Sequence, residues 1–168
     1  VPTIRIRRAT ASDEGRLWVL LAQAAHTPLG VDVRAEAAAE VRLSAYVAGF
    51  GEEPGDVGVL AFEGERCVGG AWARRWSESR HGFVWYPELD VPELVIATDP
   101  SQRGRGLGTR LLRALQRACP EGLVLSVREE NPARRLYARA GFRELPARAM
   151  ANPRSGGVSI VMEWRPAR

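Results

Sequence analysis

Between residues 93 and 118 the sequence changes its period twice. Glu93-Leu-Val-Ile-Ala-Thr98 is a nearly unbroken apolar run of strand length, the kind a sheet buries on both faces. Asp99-Pro100 ends it. Gly104, Gly106 and Gly108 follow, and then Leu107, Leu111, Leu112 and Leu115 recur at helical spacing, with Arg110, Arg113 and Arg117 on the other side. A strand, a glycine-rich turn and an amphipathic helix in that order demand a sheet with helices packed on it. The turn also has chemical potential. The first N–H groups of a helix have no intrahelical partner, the helix dipole adds positive potential there, and glycine lets an anion approach the backbone. Arg103 and Arg105 add full charges. The spacing excludes two common phosphate sites. In a dinucleotide turn the third glycine would fall at Thr109, and a P-loop needs a lysine that this chain lacks. Two readings stay open from the residues alone: an anion cradle, or glycines that serve only the turn.

The rest of the chain supplies a single domain around this unit. At 168 residues it is long enough for one core without staples. Ile4 and Ile6 alternate with Arg5 and Arg7 as in a half-buried strand. Thr10 and Asp13 form a loose capping pair ahead of a stripe at Leu17, Leu20, Leu21 and Ala24, which Thr27-Pro28-Leu29-Gly30 breaks. Residues 35–47 read as a second helix. Residues 57–63 and 67–76 read as a hairpin turning at residues 63–66, and residues 77–92 as irregular chain. Leu123 to Val127 is another buried strand. Asn131-Pro132 opens a helix that Gly141 stops, and residues 142–145 and 158–164 are closing strands. The expected fold class is α/β (α+β): one domain over residues 1–168, with a mixed central sheet of about six to seven strands flanked by about four helices.

Composition removes several functions. All 24 basic residues are Arg, but they are interleaved with 20 acids and the net charge is +4. No nucleic-acid motif accompanies them, so no nucleic-acid partner is expected. Two Cys and two His offer neither a disulfide framework nor a metal cluster. The longest apolar stretch, residues 17–25, is half of the ~18 residues a membrane span needs. It follows Asp13 and Glu14 rather than a basic flank, so the expectation is a soluble, cytoplasmic protein with no membrane partner.

Two segments together carry a family likeness. Leu94 to Leu112, with Arg103-x-x-Gly106-x-Gly108 at its centre, resembles the acyl-CoA-binding motif of the GNAT (GCN5-related N-acetyltransferase) superfamily. Asn131-Pro132-Ala133-Arg134-Arg135-Leu136-Tyr137-x-x-x-Gly141-Phe142 resembles the second motif of that family. The likeness is most specific over residues 93–145 and covers the order of elements elsewhere.

This resemblance implies acetyl-CoA (coenzyme A) as donor, with its pyrophosphate on the turn Arg103, Gly104, Arg105, Gly106, Leu107, Gly108 and Thr109. It implies that the pantetheine arm lies along Ile96, Ala97 and Thr98, where the strands ending at Thr98 and Val127 splay apart. Asn131 would contact the donor or cap its helix, or do both. Tyr137 would protonate the departing thiolate, with core packing as its alternative role. Glu93 would take a proton from the attacking amine or orient a water that does. Glu88 and Asp90 would join it in an acidic cluster that draws a cationic acceptor, unless they simply face solvent. The acceptor end would be built from residues 26–34 and 72–86, where Trp72, Trp76, Trp85 and Tyr86 could form an aromatic wall, although core or edge packing is the expectation for Phe83, Trp85 and Tyr86 from the residues alone. The implied reaction is direct transfer of an acetyl group to a primary amine of unspecified identity. The alternative is an acyl-CoA-binding sensor or regulator without turnover. A homodimer is expected by analogy only.

Overall fold

Alternation along the central hairpin sorts the core into two layers. In the computed structural model, which describes residues 2–25, 32, 34–35, 37, 40–151 and 156–167, strand β2 (Val57–Glu63) sends Val59 and Ala61 to one face and Leu60 and Phe62 to the other. Strand β3 (Arg66–Arg74) does the same with Ala71 and Ala73 against Trp72. The Val59 face is covered by helix α3 (Leu107–Ala118), whose Leu107, Leu111, Leu112 and Leu115 are all buried. The Leu60 face is covered by helix α1 (Glu14–Ala24), through Leu17, Leu20 and Leu21, and by the short helix α2 (Val41–Ser44) with the turns after it.

The remaining elements are β1 (Ile4–Arg8), β4 (Glu93–Thr98), β5 (Leu123–Arg128), α4 (Ala133–Arg139), β6 (Arg143–Glu144), β7 (Met150–Ala151) and β8 (Val158–Trp164). The sheet order is β1-β2-β3-β4-β5-β8-β6, and β7 also pairs with β8. Every ladder is antiparallel except β4–β5. The mixed α/β sheet with helices on both faces is the expected class. The added short strand is β7.

Other expectations needed correction. The second helix, expected over residues 35–47, is interrupted: the described residues Arg34, Ala35 and Ala37 are helical, Glu40 is extended, helix resumes over Val41–Ser44, and the continuation to Gly51 is turns. Residues 26–31 and the His26 turn lie outside the described residues. The return strand stops at Arg74, whose buried guanidinium leaves the strand edge for Asp56 at 2.8 Å and for the carbonyls of Ala45 and Ala48. Asp13 is more than a loose cap. Its carboxylate accepts the Thr10 N–H at 2.9 Å and both Arg7 nitrogens at 2.8 Å. Arg7 therefore holds the Asp13 carboxyl down at about 2. No helix among the described residues is long and apolar enough to cross a membrane.

Candidate active site

The site begins where the sheet fails to close. β4 and β5 run parallel, yet their register holds only one pair, Glu93 with Val124, supported by the Val124 N–H on the Pro92 carbonyl at 3.0 Å. Beyond that pair the strands diverge, which opens a cavity of about 370 Å³ between them. For this reason β4 is not buried on both faces: Val95, Ile96 and Thr98 are only partly covered. The edge of β4 past Val95 has no strand beside it among the described residues, so its backbone groups face the cavity. Leu94 to Thr98 line one wall, and Leu125 to Arg128 with Asn131 line the other.

At the Thr98 end lies the glycine turn. Asp99 caps its first half by accepting the Ser101 N–H at 2.8 Å, and the Gln102, Arg103 and Arg105 N–H groups are satisfied within the turn. The N–H groups of Gly104, Gly106, Leu107, Gly108 and Thr109 have no protein acceptor among the described residues. Gly104 and Gly106 hold φ of +71° and +76°, which side chains resist, and a Cβ built on either would meet no protein atom within 4 Å. Open space over free donors at the start of a 12-residue helix is a fitting cradle for an anion. Gly108 serves packing instead, since its Cβ would press on Leu136 at 3.2 Å. Arg103 lines the cavity, whereas Arg105 turns back to the Gln102 amide oxygen at 3.4 Å.

The other end of β4 carries Glu93, only 2% exposed. Its Oε1 accepts from the Tyr46 hydroxyl at 2.7 Å and its Oε2 from Trp76 Nε1 at 2.6 Å. Burial pushes its carboxyl up to about 7, against the opposing pull of these donors. A carboxylate poised near neutrality at a cavity wall is suited to take and release a proton.

Tyr137 reaches the same cavity from α4. Its ring is buried edge-on against Phe142, with centroids 6.0 Å apart, and its hydroxyl has no hydrogen-bond partner among the described residues. Burial raises it to about 12, so it stays protonated and remains a donor at neutral pH. Asn131 caps α4 by accepting the Ala133 N–H at 2.9 Å while lining the cavity.

Thus Glu93, Ile96, Ala97, Thr98, Arg103, Asn131 and Tyr137 are brought to one cavity, and Gly104 to Thr109 form the adjoining turn. The acidic cluster does not form. Glu88 pairs with Arg148, and Asp90, almost wholly exposed, pairs with Arg75 at 3.0 Å. Neither lines the cavity. The expected aromatic wall is also rearranged. Trp72 is buried core with its indole N–H on the Tyr46 carbonyl, Trp85 stacks on His81, and Tyr86 lies against Arg148. Tyr46 and Phe83, with Leu21 and Leu43, line the cavity beside Glu93 instead. Only the surrounding helical spacing marks Tyr46 in the sequence, and that spacing assigns it to the core.

Comparison with known proteins gives a consistent picture. A family model described as the acetyltransferase (GNAT) family matches residues 20–142. Among solved structures, the ribosomal-protein-S18-alanine N-acetyltransferase of Escherichia coli is 20% identical, covering 99% of this chain and 97% of that one with a TM-score of 0.66. The structure of yncA from Salmonella typhimurium with its cofactor acetyl-CoA is 20% identical over 96% of this chain and 93% of that one, TM-score 0.64. A GNAT family acetyltransferase from Bacillus cereus is 16% identical over 99% of both, TM-score 0.64. At these identities the likeness is one of fold. An uncharacterized protein of Mycobacterium leprae is 37% identical over 78 residues, which span 45% of this chain but only 22% of that protein's length.

Proposed function

The chain belongs to the acetyltransferase (GNAT) family, and on that premise we propose that it transfers an acetyl group from acetyl-CoA directly to a primary amine, with Glu93 as base and Tyr137 as acid. The observation that carries this reading is the β5-facing edge of β4, left open beyond Glu93, which runs from free N–H donors at one end to a buried carboxylate at the other. The residues fit the donor. The turn from Arg103 to Thr109 offers N–H groups and open space to a pyrophosphate, and Ile96 to Thr98 offer backbone to a pantetheine arm. Acetyl-CoA supplies the thioester whose carbonyl is the electrophile.

The protein residues manage two protons. An alkylamine is mostly protonated near neutral pH and cannot attack until it loses a proton. Glu93 accepts that proton at its carboxylate, which burial lifts to about 7, close to neutrality. Tyr137 holds a proton at its hydroxyl for the sulfur as the carbon–sulfur bond breaks. The divergence of β4 and β5 leaves room for the acyl group between them. The described acceptor-end walls are apolar at Leu21, Leu43 and Phe83, and Glu93 is the carboxylate among them. That supports an amine carried on an apolar or aromatic body over a polycation.

The test has two stages. Acetyl-CoA at one hundred times its Kd should stabilise the fold by about 2.7 kcal/mol, which raises Tm by roughly 5–10 °C. Thiol release is then measured with a panel of amines spanning arylalkylamines, polyamines and peptide N-termini. No thermal shift would sink the donor assignment. A shift without thiol release from any amine would favour a sensor over an enzyme.

A further inference from the structure

The Glu93 carboxylate is gripped by groups whose hydrogens point at it. The Phe83 N–H donates to the Tyr46 hydroxyl oxygen at 2.8 Å, which leaves the single hydroxyl hydrogen for Glu93 Oε1 at 2.7 Å. The indole N–H of Trp76 cannot accept at all, and it meets Oε2 at 2.6 Å. Three separate segments converge here: the turn after α2, the chain just past β3, and the start of β4. Their approach is tight by construction. A Cβ on Gly82 would stand 2.5 Å from the Tyr46 hydroxyl and 2.9 Å from the Trp76 ring, so only glycine lets the irregular segment carry Phe83 to that hydroxyl. The Tyr46 ring is fixed edge-on to Trp76 at 5.3 Å and tilted on Phe83 at 6.1 Å.

We propose that Tyr46 is a positioning residue for the acyl transfer: together with Trp76 it holds the Glu93 carboxylate in one orientation and as a proton acceptor at the acceptor end of the cavity. The inference rests on the reading of Glu93 as the base. Its physical basis is the opposition of two effects. Burial favours the neutral acid, and the donors favour the anion. A protonated carboxyl would have to aim its hydrogen at a donor or give up one of the two bonds.

Other charges near Glu93 are committed elsewhere. Arg74, opposite it on β3, is bound to Asp56 and to carbonyls of residues 45, 48 and 49. Arg42, beyond α2's first residue, lies over the Phe83 ring at 5.0 Å. The register partner on β5 is Val124, and α1 presents Leu21 to the cavity. The Tyr46 and Trp76 side chains, with the backbone N–H of Val84, are therefore the donors set to hold this carboxylate ionised.

Tyr46→Phe tests the inference in the full-length chain. The pH dependence of kcat/KM is measured with saturating acetyl-CoA from about pH 5 to pH 9. In parallel, the Glu93 carboxyl is titrated directly by 13C NMR in glutamate-labelled protein, assigned with Glu93→Gln. The expected result is an acid limb near pH 7 in the native chain that moves up by about one unit or more in Tyr46→Phe, with the NMR titration moving alike. The thermal shift with acetyl-CoA stays as in the native chain. Trp76→Phe should move both readouts in the same direction, and serves as the second variant if Tyr46→Phe does not fold. An unmoved titration in either folded variant overturns the proposal and leaves Tyr46 a packing residue. If Glu93→Gln keeps native turnover and pH profile, the assignment of Glu93 as base fails. The NMR titration then still decides whether Tyr46 sets the state of Glu93.

Discussion

Replacing Glu93 with Gln should make the protein's stability less sensitive to pH between about 4.5 and 7. The side chain is nearly inaccessible, and burial raises its carboxyl from an ordinary 4.5 to about 7. Because the folded value lies above the unfolded one, the folded state binds the proton more tightly. Stability associated with this group is therefore fully present below pH 4.5 and is lost as pH rises to about 7 and beyond. A difference of roughly 2.5 units at about 1.4 kcal/mol each gives roughly 3–4 kcal/mol across that window. Gln carries no charge to desolvate. Its amide NH₂ meets a donor where the carboxylate oxygen accepted, which adds a penalty that does not vary with pH.

The signal is therefore the slope of the difference between native and variant proteins, not its offset. Urea denaturation of both, at half-unit steps from about pH 4 to pH 9, supplies it. Other titrating groups, such as Asp13 beside Arg7, are common to both chains and cancel. The native protein should lose about 1.4 kcal/mol per unit relative to Glu93→Gln through the window and level off above it. A difference that stays flat across the whole range would refute the premise that Glu93 is buried and titrates near neutrality.

Three further outcomes follow from particular contacts. Tyr137→Phe should lower kcat by about 100-fold or more with acetyl-CoA affinity unchanged. Because the lost hydroxyl is buried without a protein partner, stability should hold or rise by about 1 kcal/mol; native kcat would show that Tyr137 only packs. Gly106→Ala should weaken acetyl-CoA binding at least tenfold. Gly64→Ala, at a similar φ of +60° with equally open space but on the hairpin turn, should cost about the same 1–2 kcal/mol in stability and leave binding intact; equal effects of both on affinity would deny the turn its role. Asp56→Asn should cost about 3 kcal/mol or more in denaturation, because it leaves the buried Arg74 guanidinium without its counter-charge; a loss under 1 kcal/mol would mean that the surrounding carbonyls suffice.

How far the site was readable depends on chain distance. The turn, its helix and the strand before it are local, and their periodicities are carried by adjacent residues; the structure returns β4 and α3 close to where the spacing puts them. Asn131 and Tyr137 are also set locally, by a cap and by one helix. The acidic cluster failed for the opposite reason. Glu88, Asp90 and Glu93 are neighbours in sequence, but their partners are not: Arg148 is 60 residues from Glu88, and Arg75 reaches both Asp90 and Glu121. Charges that look like a shared field are neutralised one by one by side chains that only folding delivers. Trp72 left the expected wall because alternation with Ala71 and Ala73 points it into the α1 and α2 layer.

Sequence alone therefore determined the strand–turn–helix unit with its free donors, since backbone conformation there follows from glycine placement and from apolar spacing within one or two turns. It determined as well that Tyr137 and Asn131 would share one short helix region. Only the tertiary structure decided that β4 and β5 part after a single pair, and that the carboxylate at their junction is dry and held by Tyr46 from 47 residues away. Exposure to solvent is a property of everything that surrounds a group. The state of Glu93 could not be read from its neighbours in the chain, because its physical neighbours come from elsewhere in it.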